Sequence, residues 1–308
     1  MRAAVTGGTG FLGAALIDKL LNEGWSIAAL ARDTQRIANA DAMRIIEGDL
    51  QNKSALRDLA ADVDIFFHLA GVTHAHDDRA YQSVNVEGAS NAARAAADVG
   101  AKLVHVSSLS ARMPDMSPYA MSKFESEGAV AREAGAAPWL ALRLPALYGP
   151  GDLVTLPYFK LVKSGLALEP RTSAPARASL LFVADAAEAV IAAAGAADGA
   201  VYEVSDDLPS GREWAEIGAI LGDVLGKDPR QIRVPRALIS AYHGILRSAE
   251  RRLGKPPSVR SGQVNEFFHP DWVARDNLLS DVSSWRATTP LKEGFAKTVH
   301  WYQEHGLL

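Results

Sequence analysis

The 308-residue chain contains no cysteine, which excludes disulfides, thiolate nucleophiles and thiolate metal sites. It has no long unbroken apolar run. The most apolar extended segment, residues 184–197, is interrupted by Asp185 and Glu188 and is shorter than a membrane span. No charge of one sign dominates: 32 Lys and Arg stand against 36 Asp and Glu, a net charge of −4. That balance gives no electrostatic case for nucleic acid or an anionic membrane surface as partner. There is no internal repeat at a solenoid period and no low-complexity tail. The opening MRAAVTGG is too short an apolar run for a signal-peptide core. With 48% hydrophobic and 22% charged residues, a soluble cytoplasmic globular protein is the expectation.

What is present is alternation. Short β-type runs occur at residues 3–5, 26–30, 43–46, 63–67, 103–106 and 139–142, separated by Ala- and Leu-rich stretches at 11–22, 52–61, 81–99 and 118–133. Strands alternating with helices of this length predict right-handed βαβ units, hence a doubly wound parallel sheet covered on both faces. A further run at 179–183 and the helix after it are expected to rejoin that sheet. Beyond Asp152, prolines punctuate shorter segments, and 171–179 and 254–262 read as loops. The expected organisation is an α/β dinucleotide-binding domain over 1–153 plus about 177–205, with a smaller, mostly helical substrate region over about 154–176 and 206–308. Ligands of such folds sit at the carboxyl ends of the strands, where an annex closes a cleft. The Pro- and Gly-rich stretches 151–176 and 254–276 are expected to move on substrate binding.

The strongest local signal is "AAVTGGTGFLGAALIDKLL". A strand runs into Gly7-x-x-Gly10-x-x-Gly13 and then into an amphipathic helix. Glycines allow the tight turn and close approach of backbone to a pyrophosphate, and the helix N-terminus offers unpaired N–H groups and a positive dipole end. A second stretch, "SPYAMSKFESE", sets Tyr119 and Lys123 four apart, on one helix face. Spacing alone favours an ordinary solvated face.

Further pieces change that reading: "GDL" at 48–50, "HLAG" at 68–71, "NVEG" at 85–88, "VSS" at 106–108, "YAMSK" at 119–123, "LRLPALYGPGD" at 142–152, "FVADAAEA" at 182–189 and the closing "PLKEGFAKTVHWYQEHG". Together with the glycine turn they resemble, over nearly the whole chain, the extended short-chain dehydrogenase/reductases of the NAD(P)-dependent epimerase/dehydratase family. The resemblance implies a Rossmann-type fold and a catalytic Ser108, Tyr119 and Lys123. Tyr119 would be the general acid/base, Lys123 would lower its pKa and hold the nicotinamide ribose, and Ser108 would orient the substrate oxygen, with Ser107 the alternative. It also implies cofactor contacts from Gly7, Thr9, Gly10, Phe11, Leu12 and Gly13, from Asp49 and Leu50 beside the adenine, from Leu69, Ala70 and Gly71 along the ribose and pyrophosphate, and from Pro145 and Leu147 near the nicotinamide. Asn85 falls where the family has a bracing asparagine. The chemistry is coherent: a phenol with pKa near ~10 is moved toward its ionised form by a neighbouring ammonium.

The implied function is an NAD(P)-dependent oxidoreductase moving a hydride between a nicotinamide and a carbonyl or alcohol of a small-molecule substrate. The alternatives are a nucleotide-sugar epimerase/dehydratase holding NAD tightly and a cofactor-binding sensor or assembly protein without turnover. Two departures lean away from sugar nucleotides, toward the sterol-type and flavonoid-type branch. Tyr119 follows Ser108 at a spacing of only eleven, and "EPRTSAPARASLLFV" replaces the segment usual before the late strand. NADP is expected ahead of NAD, because "SIAALARDTQR" carries Ala31 and Arg32 where NAD-preferring relatives place an acid; a guanidinium pairs with a 2′-phosphate that a carboxylate would repel. A homodimer through the helices around 81–99 and 118–133 is the family's habit. No metal is expected: His68, His74 and His76 lack a completing ligand. The segment 236–253 reads as a packed helix with a solvated basic face rather than a membrane-surface helix, and Trp272, Trp285 and Trp301 read as core anchors.

Overall fold

Parallel strands buried on both faces read as near-continuous apolar runs, and "AAVT", "IAALA" and "IFFH" do so. In a computed structural model describing residues 1–75, 77–253 and 262–308, these become β1 (Arg2–Thr6), β2 (Ser26–Ala31) and β4 (Ile65–His68). With β3 (Arg44–Glu47), β5 (Lys102–Ser108) and β6 (Trp139–Leu144) they form the central sheet. A strand at Ala200–Glu203 completes seven parallel strands, in the order Ala200–Glu203, β6, β5, β4, β1, β2, β3. The expected run at 179–183 does not join this sheet. Leu180–Phe182 instead pairs in parallel with Ala146–Tyr148.

Helices cover the sheet where sequence periodicity places them. α1 (Phe11–Asn22) buries Leu16, Ile17 and Leu20 and stops before Gly24 at φ +75°. α2 (Lys53–Ala60) starts where Asn52 Oδ1 accepts from Ala55 N at 3.1 Å. α3 (Asp78–Tyr81) passes through a π-helical stretch, Gln82–Glu87, into α4 (Gly88–Asp98). α5 (Pro118–Ala134) has Pro118 at its first position, and Ser117 Oγ accepts from Ala120 N at 2.9 Å. A serine cap followed by proline is what a helix start requires. The helix Val183–Ala193 packs on α1.

Contacts divide the chain into two units. The first is Met1–Leu144, Val183–Val204 and Asp276–Arg286; the second is Pro145–Phe182, Ser205–Arg275 and Ala287–Leu308. Phe66, Phe67, Leu16, Leu56, Leu59 and Leu103 are fully buried in the first. The core of the second is aromatic: Phe295 meets Tyr148 and Phe159 edge-on, at 5.1 and 5.3 Å between ring centroids, and Tyr302 meets Phe159 at 5.3 Å. Trp285 is buried as expected, while Trp272 and Trp301 are half-buried. The stretch 151–176 is less loop-like than its prolines suggest. It contains the helix Leu156–Lys163, whose Phe159 and Val162 are buried, and the strand Leu166–Pro170. Of the stretch 254–276, residues 254–261 lie outside the described residues, as does His76. The helix Arg236–Arg252 departs further from expectation: none of its residues is buried.

Candidate active site

The glycine turn is held by backbone contact that no side chain would permit. Gly7 has φ +80°, and a Cβ there would lie 2.6 Å from Ala70 N; a Cβ on Gly13 would lie 2.0 Å from Gly7 O. The turn between β1 and α1 therefore nests against the end of β4, where Leu69 N donates to Thr6 O at 3.1 Å. Gly10 caps α1 without a side chain, so no hydroxyl or carboxylate of the cap occupies the first-turn amides. Such a bare, positively polarised helix start fits a pyrophosphate. Thr9 and Gly10 are exposed there, and Phe11 and Leu12 are half-buried.

Within the first unit, Arg32, Asp49, Leu50, Leu69, Ala70 and Gly71 follow the ends of β2, β3 and β4. Arg32 follows β2 and is exposed. Asp33, next to it, caps the following turn, its carboxylate accepting from Gln35 N at 3.1 Å. Asp49 Oδ1 accepts from Gln51 N and Asn52 N at 2.9 and 3.0 Å, and Leu50 is buried against Gly88. Ala70 and Gly71 follow β4; a Cβ on Gly71 would come within 3.1 Å of Asn85 Oδ1 and 3.6 Å of Lys123 Nζ. Pro145 and Leu147 belong to the second unit.

Tyr119 and Lys123 share one face of α5, and both are buried. Lys123 Nζ donates to Val106 O on β5 at 2.8 Å, two residues before Ser108. Tyr119 meets Tyr81 edge-on at 6.2 Å, and Tyr81 Oη ties down the turn after β4, donating to Thr73 O and accepting from Ala75 N, each at 3.2 Å. Asn85 is the brace the resemblance implied. Its Oδ1 accepts from Val72 N at 2.8 Å, and its Nδ2 donates to Val72 O at 3.1 Å and to Ser122 Oγ, on α5, at 2.9 Å. The π-helical stretch that contains it is the kind of irregularity often found at functional sites.

Alternation along β5 separates the two candidate serines. Ser107 Oγ donates to Glu127 Oε1 at 2.5 Å in the interior. Ser108 Oγ accepts from Ser110 N at 3.2 Å, which leaves its own proton to donate. Glu127 is a residue that motif reading missed. One turn beyond Lys123, it takes a bidentate hydrogen bond from Arg143 on β6, at 2.9 and 2.7 Å. This bond, and the Glu127 charge, hold the Arg143 guanidinium above its ordinary pKa.

Burial pushes the Lys123 ammonium down to about 8, with Glu127 pulling the other way. Beneath it, His68 and His105 stack across β4 and β5 at 5.3 Å. Burial first and Lys123 second lower His68 to about 3, and the same causes lower His105. Both rings therefore stay neutral, and no imidazolium competes with the lysine. Thr6 Oγ1 bonds His68 Nδ1 at 2.7 Å and Ser126 Oγ bonds His105 Nε2 at 2.9 Å. Among the described residues no cluster of three His, Asp or Glu is arranged to hold a metal.

The glycine-nested start of α1 and the buried Tyr-Lys pair of α5 are carried by one parallel sheet, on β1 and β5 respectively. The profile of the NAD dependent epimerase/dehydratase family matches residues 3–205. The chain belongs to that family. It is an NAD(P)-dependent enzyme of the oxidoreductase type. This epimerase/dehydratase-family chain is 36% identical to the ceramide reductase of Caulobacter vibrioides over 99% of its own length and 95% of that protein's. It is 27% identical to the 2-alkyl-3-oxoalkanoate reductase of Shewanella oneidensis, covering 82% and 73% of the two chains. Its fold is that of Thermus thermophilus UDP-glucose 4-epimerase, a structure in complex with NAD, with TM-score 0.71, 20% identity and 98% and 99% coverage.

Proposed function

We propose that the protein is an NADPH-dependent reductase of a ketone carried on a long-alkyl, lipid-like frame. The observation that carries this reading is end-to-end likeness to a ceramide reductase, on a chain that retains Ser108, Tyr119 and Lys123. A relative named for 3-oxoalkanoate reduction supports the same substrate class.

The bound nicotinamide supplies the hydride. The chain's own residues do the rest. Ser108 Oγ, accepting from Ser110 N, donates to the carbonyl oxygen and fixes its position. Tyr119 gives its phenolic proton to that oxygen as charge develops there. Lys123 keeps one donor on Val106 O; its other donors and its charge would serve the ribose hydroxyls and Tyr119. Gly71 leaves room beside the ammonium that any side chain would fill. Arg32, exposed after β2 and without an ion pair among the described residues, would hold the 2′-phosphate. Phe124 and Gly128, exposed on α5, support a homodimer through that helix.

The test is steady-state turnover of a series of 3-oxo fatty amides of increasing chain length, with calorimetric titration of NADP and NAD. Long-chain ketones should be reduced, NADP should bind more tightly than NAD, and Arg32→Ala should erase that preference. Epimerisation of a nucleotide sugar, with NAD retained through purification, would overturn the substrate reading.

A further inference from the structure

Side chains of an α-helix lean toward its N-terminus and rest on the turn before them. Tyr119 is the second residue of α5, after Pro118, so its own helix offers no preceding turn to lean on. A general acid does not tolerate that freedom. Its oxygen must stay within about 3 Å of the atom it protonates, and a displacement of about 1 Å can cost about a hundredfold in rate. Another element has to hold the phenol.

α3 supplies the surface. Tyr81, its last residue, is 2% exposed and meets the Tyr119 ring edge-on, with 6.2 Å between centroids and 62° between planes. Edge-to-face aromatic pairs attract beyond the area they bury, so the contact favours one orientation of the phenol. Tyr81 is not a rival acid. Its hydroxyl proton goes to Thr73 O, and the same oxygen accepts from Ala75 N, each at 3.2 Å. Four residues on, Asn85 grips the same loop at Val72 and donates to Ser122 Oγ at 2.9 Å. Ser122 Oγ in turn donates to Tyr119 O at 2.8 Å. One helical run thus holds Tyr119 twice, its backbone through Asn85 and Ser122 and its ring through Tyr81. The same two side chains hold the loop that follows Gly71.

We infer that Tyr81 is a positioning residue for carbonyl reduction, its ring setting the orientation of the Tyr119 phenol and its hydroxyl fixing the loop 72–75. The inference deepens the proposed reaction and rests on Tyr119 as its acid. Ring and hydroxyl have separate tasks, so they separate by substitution.

Tyr81→Phe keeps the ring and loses only the two hydroxyl bonds. Tyr81→Leu loses the ring, and Tyr81→Met takes its place should circular dichroism show the leucine variant unfolded. With NADPH and a long-chain 3-oxo fatty amide, Tyr81→Phe should keep kcat within about twofold. Tyr81→Leu should lower it about tenfold, while the calorimetric Kd for NADP stays within about twofold. In the Tyr119→Phe background Tyr81→Leu should cost almost nothing further, because the group it orients is gone. An equal loss in both backgrounds would overturn the inference. So would Tyr81→Phe falling as far as Tyr81→Leu, which would make the loop tether the cause. Full activity of Tyr119→Phe alone would refute the acid rather than the placement, which NMR of isotope-labelled tyrosine in the NADP complex reads without substrate. The Tyr119 ring signal, assigned by its loss in Tyr119→Phe, should be single and sharp in the wild type and in Tyr81→Phe, and broadened or doubled in Tyr81→Leu. A single sharp signal in Tyr81→Leu would overturn the inference even if no amide is turned over.

Discussion

Tyr119 and Lys123 differ in what their loss should cost. Tyr119→Phe removes one proton donor and keeps the ring against Tyr81, so cofactor affinity should hold while turnover falls by about 10²–10⁴. Full activity on an identified substrate would refute the acid/base role. Lys123 is held by its pH behaviour. Its ammonium titrates near 8 in the fold against 10.5 ordinarily. Between those values the unfolded chain binds more protons, so this residue's contribution to stability rises with pH across that window. Activity should move the opposite way, since above about 8 the charge that serves Tyr119 and the ribose is lost. Glu127 raises the lysine's pKa, so Glu127→Gln should shift the alkaline limb of kcat/KM to lower pH, beyond any uniform loss from unpairing Arg143. A limb that stays in place would show that Glu127 is purely structural.

At the scale of elements, the β1–α1 turn makes the sharpest demand. An added Cβ at Gly13 meets only backbone, Gly7 O at 2.0 Å and Gly8 Cα at 2.9 Å; backbone cannot rotate aside as a side chain can. Gly13→Ala should cost about 1–3 kcal/mol of stability and weaken cofactor binding further by pushing α1 off β1. Gly244→Ala, in a helix with nothing within 4 Å, should be neutral or stabilising by up to about 1 kcal/mol. Equal behaviour of the two variants in thermal melts and cofactor titrations would remove the nesting argument. This turn was legible in the sequence because its cause is local: three glycines at fixed spacing between a strand and a helix. The same holds for α5, whose cap, proline and Tyr-Lys spacing are contiguous. The Ser107–Glu127–Arg143 chain was not legible, because β5, α5 and β6 meet only in the fold; an arginine inside the apolar strand "LALRLP" was its only trace. The seventh strand was misplaced for a related reason. Leu180–Phe182 is as apolar as a sheet strand, and sequence does not show that its partner is Ala146–Tyr148. Amphipathicity likewise revealed the Arg236–Arg252 helix without revealing which part of its apolar arc is covered.

At the scale of the whole molecule, the chain passes from one unit to the other repeatedly, and the first unit is finished late. The family profile ends at residue 205, yet Asp276–Arg286 belongs to the first unit. Asn277, at φ +49°, donates from Nδ2 to Val201 O at 2.7 Å, and its own carbonyl accepts from Glu203 N at 3.1 Å. Buried Glu203 accepts from Asp276 N at 3.1 Å and from Arg112 Nη1 at 3.4 Å. This segment thus pairs with the edge strand Ala200–Glu203 and helps satisfy a carboxylate that would be costly to bury alone. Leu279, fully buried, and Trp285, 7% exposed, anchor it. The late segment therefore acts as part of the Rossmann core, not as a linker. Leu279→Ala in the full chain should lower the free energy of unfolding by about 2–5 kcal/mol, whereas Val282→Ala, at a side chain 45% exposed, should stay within about 0.5 kcal/mol. Urea denaturation measures both, with cofactor titration reporting the folded fraction. If Leu279→Ala unfolds at the midpoint of Val282→Ala, the segment only rests on the first unit and the sheet is complete without it.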